Sequence, residues 1–136
     1  MNTDNYKEII NNKQFVQDTF DGLIGHKIIE INENYVETSI DINESHLQPF
    51  GLVHGGVYSS MAESAISYAA SINQEAMWAG VNNNTDFIAS ATEGTLVLKG
   101  TPIKLGKRSQ IWEAKIFNND VLCARSTVRL SNLGNK

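Results

Sequence analysis

The chain has a single cysteine, Cys123. One cysteine cannot close an internal disulfide, so the fold must stand on its core, and a reducing compartment is the default setting. No run approaches the ~20 apolar residues that a membrane-spanning helix needs. The opening residues Met1-Asn2-Thr3-Asp4-Asn5 carry no basic side chain and lead into no apolar stretch, so they do not read as a signal peptide. Basic charge is scarce as well. The formal net charge is −4, which argues against nucleic acid or a membrane surface as partner. No repeat, linker or low-complexity tract divides the chain. A Gly-x-Ser-x-Gly elbow is absent, and the chain is short for the serine-hydrolase fold that uses one. His26, His46, His54 and Cys123 show no ligand spacing, and Glu63 has no histidine four residues away, so no metal site is expected. What remains is one domain of 136 residues that reads as cytoplasmic. It is large enough to bury a core without staples or metal.

Periodicity supplies the outline. Thr3 or Asp4 can cap a first helix, with Tyr6, Ile9, Ile10, Phe15, Val16 and Phe20 at helical spacing up to Gly22. Lys27–Ile31 and Tyr35–Ile42 read as strands joined by the turn Asn32-Glu33-Asn34, the second alternating Val36, Thr38, Ile40 and Ile42 against polar residues. From Val57 to about Ile72 the chain is rich in Ala and Ser and apolar on most sides, the pattern of a buried helix. Four strand candidates follow. They are 79–88, with a polar Asn82-Asn83-Asn84 insert, 95–105, broken by Gly100 and Pro102, 110–117 and 121–130. Asn118-Asn119-Asp120 is a hairpin turn between the last two. Residues 131–136 read as a polar tail. Trp78 and Trp112 read as packing residues. Strands grouped apart from helices predict an α+β fold with an antiparallel sheet.

The stretch from Gln48 to Ser67 carries the chemistry. His54-Gly55-Gly56 falls where a turn becomes a helix. The first N–H groups of a helix lack intrahelical partners, and glycines let a ligand oxygen approach them. That is a place to hold a developing oxyanion. By itself His54 beside two glycines reads as structural. Gln48, His54, Glu63 and Ser67 together say more. Glu63 is the only acid between Glu44 and Glu75. A lone carboxylate on a buried helix is costly unless paired or functional, the alternative being a hydrogen-bonded core acid. Ser67 lies one turn beyond Glu63 on the same face. Lys99, Lys104, Lys107 and Arg108 cluster around Gly100 and Gly106. The segment is not a Walker loop: five residues separate the glycines, and Arg108 follows Lys107 where Ser or Thr is required.

Gln-Pro-Phe-Gly-Leu-Val-His-Gly-Gly followed by the Glu63 helix resembles the hotdog-fold acyl-CoA thioesterases. More narrowly, it resembles the branch with hydroxybenzoyl-CoA, enterobactin-pathway proofreading and dihydroxynaphthoyl-CoA thioesterases. The likeness runs from about Tyr35 to Leu130, with Leu105-Gly106-Lys107-Arg108-Ser109-Gln110-Ile111-Trp112-Glu113 as a second matching stretch. It implies five or six antiparallel strands wrapped around one long helix, and a dimer, often doubled to a tetramer. It implies hydrolysis of an acyl-CoA thioester with an aromatic or bulky acyl group. Coenzyme A is then part of the substrate, and no metal or redox cofactor is called for. Glu63 is implied as nucleophile or as general base on water. The Gly55 N–H polarises the thioester carbonyl, Gln48 and His54 help to fix it, and Ser67 helps place water. Lys107 and Arg108, beside Gly106, would meet the coenzyme A phosphates, the alternative being a solvated hairpin edge. The sequence departs from some relatives after Asn84, at Thr85-Asp86-Phe87-Ile88-Ala89-Ser90, a segment expected to line the acyl pocket. An acyl-CoA-binding or sensing domain remains open as an alternative function. So does an acyl-chain dehydratase or isomerase, although the Asp/His pair usual in those is not found.

Overall fold

The structure is a computed structural model that describes residues 18–74 and 76–134. The expected first helix falls almost wholly outside the described residues. In the described part Thr19 is extended and precedes one separate turn, α1 (Phe20–Leu23), closed by Gly25 at φ +71°, so the helical spacing does not run unbroken to Gly22. The order continues β1 (His26–Asn32), β2 (Tyr35–Asp41), a 3-10 turn (Glu44–His46), α2 (Gly55–Asn73), β3 (Trp78–Phe87), β4 (Thr95–Leu105), β5 (Ser109–Asn118) and β6 (Val121–Asn132).

The six strands form one antiparallel sheet in the order β1-β2-β4-β5-β6-β3. The order departs from chain order at one point. The strand after α2 joins the far edge, beside β6, so the sheet folds around the helix. The concave face supplies Val36, Ile40, Leu96, Leu98, Trp112, Ala114, Ile116, Val128 and Leu130 to the core, and α2 supplies Met61, Ala62, Ala65, Ile66, Ala69 and Ala70. Four of these six helical residues are alanine. Short side chains bring the helix axis close to the sheet, and Leu, Ile and Trp from the strands fill the space.

Three expectations need amendment. The helix is buried on three sides only: Glu63 is exposed and Ser59, Ser60, Ser64 and Ser67 are half-buried. Gly100 and Pro102 do not interrupt β4, because Pro102 sits where the register with β5 slips between Pro102 and Lys104. The closing strand runs two residues further than its alternation suggests, with Ser131 paired to Ala79 and to Ser109. The Asn118–Asp120 turn is as expected. Asn119 and Asp120 both have positive φ, 50° and 66°, which Asn and Asp tolerate in a tight hairpin.

Candidate active site

The site starts at the N-terminus of α2. His54 is its cap: the ring Nδ1 accepts the Gly56 N–H at 2.8 Å. That bond fixes Nδ1 as unprotonated, because the backbone can only donate. The Gly55 N–H has no hydrogen-bond partner among the described residues, as expected of a helix's first turn. Phe87 lies against Gly55, its ring edge 2.6 Å from where a Cβ would sit. Gly56 is equally constrained, since a Cβ there would meet His54 Nδ1 at 2.9 Å. Both glycines answer a close approach.

Gln48 reaches the same place by a tight loop. Its N–H bonds to Leu52 O at 2.8 Å, its carbonyl accepts from Gly51, and its side-chain Oε1 accepts the Phe50 N–H. Leu47 and Val53 pair across the loop. Gln48, Leu52, Val53, Gly55 and Tyr58 face Phe87, Ile88, Ala89 and Ser90 around a pocket of about 280 Å³. Tyr58 and Phe87 are tilted neighbours with ring centroids 6.2 Å apart. Burial, and then the adjacent Cys123, push the Tyr58 phenol up to about 12, so it stays neutral. Of the 85–90 segment, Phe87 to Ser90 thus line a pocket at the helix start, while Thr85 bonds Asn83 and Ser126 instead. Phe50, at the tip of the Gln48 loop, is 90% exposed.

Glu63 is not in this pocket. It lies eight residues beyond Gly55, about 12 Å along the helix, on the open side. Its side chain rests over Gly80 of β3, with 3.6 Å between the carboxyl carbon and the position of a Gly80 Cβ. Among the described residues it has no ion pair or hydrogen bond to its carboxylate. The expectation of a carboxylate buried within its own helix packing is therefore not met in the single chain. The Ser67 hydroxyl does not point at Glu63's carboxylate either. It donates to the Glu63 backbone carbonyl at 2.7 Å, which leaves its oxygen free to accept a hydrogen from another group.

Gly106, Lys107 and Arg108 sit at the other end of the helix. Gln74, just past the end of α2, donates to Gly106 O at 3.0 Å, and Asn132 donates to Lys107 O and Arg108 O at 2.9 Å each. The backbone of this loop is fixed while both cationic side chains are exposed. It stands 19 residues of helix from Gly55, about 28 Å along the axis. The structure thus joins Gln48, His54 and Gly55 in one place and leaves Glu63, Ser67 and the cationic loop elsewhere on the same chain.

A buried polar group had no counterpart in the sequence reading. Asp21 Oδ1 accepts from His26 Nδ1 at 2.9 Å, and Asp21 Oδ2 accepts from the Tyr68 hydroxyl at 2.5 Å. Burial works to raise the Asp21 pKa, but hydrogen bonds from His26, Tyr68 and Ser64 outweigh it and hold the carboxyl below its ordinary value. The partners lie 5 and 47 residues away, so no local pattern announces them.

A long helix cradled by an antiparallel sheet, with the free Gly55 N–H at the helix start beside an apolar pocket, is the architecture of a hotdog fold. Residues 50–124, more than half of the chain, match the Thioesterase superfamily, and the chain belongs to that family. A putative esterase of Mycobacterium tuberculosis is 38% identical over 120 residues, covering 84% of this chain and 86% of the relative. The 1,4-dihydroxy-2-naphthoyl-CoA hydrolase of Listeria monocytogenes is 34% identical over 110 residues, covering 77% and 89%. The solved thioesterase of Haemophilus influenzae superposes with a TM-score of 0.86 at 28% identity, over 91% of this chain and 89% of that one. Among the described residues no helix is long and apolar enough to cross a membrane.

Proposed function

We propose that this thioesterase hydrolyses an acyl-CoA thioester carrying an aromatic or otherwise bulky acyl group, in a site assembled from two copies of the chain. The observation that carries the shared site is the separation of Glu63 from Gly55. An unpartnered carboxylate on the open side of α2 cannot serve a carbonyl held about 12 Å back along the same helix. Two antiparallel helices related by a two-fold axis bring Glu63 of one copy level with Gly55 of the other.

The chemistry then divides by residue. The Gly55 N–H, at the positive end of α2, polarises the thioester carbonyl and holds the oxyanion as the carbonyl carbon becomes tetrahedral. His54 and Gln48 keep that donor in place through the cap and the loop. Glu63 either takes a proton from water as the water attacks the carbonyl carbon, or attacks that carbon itself to give a mixed anhydride that water then hydrolyses to free acid and Glu63 carboxylate. Ser67, its proton committed to the backbone, accepts a hydrogen from that water. The thiolate of coenzyme A leaves. The same antiparallel arrangement moves the cationic loop. The Lys107–Arg108 loop of the second copy then lies about 16 Å beyond the Gly55 end of the first helix, instead of about 28 Å up it. That suits phosphates at the far end of an extended pantetheine arm.

The acyl preference rests on the pocket's walls, where Leu52, Val53, Tyr58, Phe87 and Ile88 offer apolar and aromatic surface. Thiol release from aryl-CoA, short-chain and long-chain acyl-CoA substrates tests it, with a truncated pantetheine thioester alongside. Aryl-CoA should give the highest kcat/KM. Lys107→Ala and Arg108→Ala should raise KM for the CoA thioester and leave the truncated substrate unaffected. Equal rates across the acyl panel would remove the aromatic reading. An unchanged preference for CoA over pantetheine in both variants would remove the phosphate contacts.

A further inference from the structure

We propose that His46 is a positioning residue for the donor loop. This rests on the reading of Gly55 as the oxyanion donor. His46 is 2% exposed and belongs to no part of the pocket wall. Its ring is held from both sides. Nδ1 accepts the Asn43 N–H at 2.9 Å, and Nε2 lies 2.7 Å from Ile24 O. Asn43 can only donate and the Ile24 carbonyl can only accept, so the ring is the neutral tautomer with its proton on Nε2. The backbone of the same residue completes the connection, because His46 O accepts the His54 N–H at 2.9 Å. One buried residue thus links the carbonyl that ends α1, through its side chain, to the residue that caps α2, through its backbone.

The Ile24 bond is the one that matters for the site. The Asn43 bond closes a turn of four residues and is local. The Ile24 bond spans 22 residues and anchors the loop to a segment that is itself fixed. Three residues before Ile24, Asp21 is bonded to Tyr68 in the C-terminal half of α2. The 21–24 segment therefore holds α2 at two places, its C-terminal half through Asp21 and its N-terminus through His46. Without the Nε2 bond, the Gln48–Gly56 loop keeps its internal hydrogen bonds but loses this tie to the body of the domain.

Three variants of the full-length protein separate these bonds. His46→Leu removes both ring contacts. In His46→Gln the side-chain amide can still donate to Ile24 O. In His46→Asn the side-chain oxygen can still accept from Asn43. Each is read by kcat and KM for thiol release, and by amide hydrogen exchange at His54 and Gly56 with Trp112 as a core reference. His46→Leu should lower kcat by about 10- to 100-fold with KM little changed, since donor misplacement acts on the chemical step. Exchange at His54 and Gly56 should rise about tenfold while Trp112 is unaffected. His46→Gln should restore most of both, and His46→Asn should not. Native kcat with native exchange in a folded His46→Leu overturns the proposal, as does equal rescue by Asn and Gln. Should His46→Leu fail to fold, the Gln and Asn pair carries the comparison. If the native protein releases thiol from no CoA thioester, the substrate reading fails, and exchange alone decides this one: unchanged loop exchange overturns it and accelerated exchange supports it.

Discussion

Glu63→Gln exchanges one carboxylate oxygen for an amide at a side chain that makes no hydrogen bond or ion pair among the described residues. The fold should therefore not notice, while chemistry should. Loss of a general base costs about 10²–10⁴ in rate, so kcat for thiol release should fall by that factor with the melting temperature unmoved. Near-native kcat would falsify the role. Asp21 is the opposite case, a carboxylate whose partners are structural. Its folded pKa lies below the ordinary value, so it contributes stability above the unfolded pKa and loses it as pH falls through the folded one. Asp21→Asn should cost about 1–3 kcal/mol at neutral pH, because it weakens the bonds to buried His26 and Tyr68. The gap between variant and native protein should narrow below about pH 3.9, the unperturbed aspartate value. Denaturation curves from pH 7 down to 2 read it, and a gap constant across that range contradicts the assignment.

At the scale of elements, the two sheet edges differ. β1 carries Lys27 and Glu30 and an irregular register with β2, the usual devices that blunt an edge. β3 presents ten residues with one charge, Asp86, and leaves Val81 55% and Phe87 61% exposed. Val81→Lys adds a charge at a position already exposed in the single chain, so it should leave monomer stability within about 0.5 kcal/mol. If β3 is where copies meet, sedimentation should show monomer at concentrations where the native protein is paired, with activity falling in step. Pairing unchanged by the charge places the contact elsewhere. The same strand shows what local patterns can tell. The strands, the helix and the hairpin turn were legible because side-chain period and turn residues are local. Asn82-Asn83-Asn84 looked like an interruption. On an edge strand, polar side chains can face solvent, and Asn83 instead bonds the helix through Ser59 O at 2.9 Å. The donor half of the site was legible too, since His54, Gly55 and Gln48 lie close in sequence. The exposure of Glu63 was not, because an Ala-rich helix looks buried all round unless one knows that the sheet covers only part of it.

For the whole molecule, the division of the site predicts a result that no single-chain enzyme can give. Suppose Glu63 of one copy serves the pocket formed by His54 and Gly55 of the other. A His54→Ala chain then spoils the donor half of one site and keeps its base for the second. A Glu63→Ala chain does the reverse. In a mixed dimer both defects fall in one site, and the other site has a native His54 and a native Glu63. Each variant alone should be nearly inactive. Mixed after reversible unfolding, about half the dimers pair one chain of each kind, and each has one sound site of two, so activity should return to roughly a quarter of native under this symmetric pairing. Recovery should follow the mixed fraction as the input ratio is varied, with a maximum at equal amounts. If both residues served a carbonyl held by their own chain, every site in every dimer would contain one defect, and mixing would restore nothing. Mass analysis of the refolded sample distinguishes the cases. Mixed dimers present at the expected fraction, with activity still at the level of the separate variants, mean that the carboxylate acts within its own chain and that α2 or its loop must bend to bring it there.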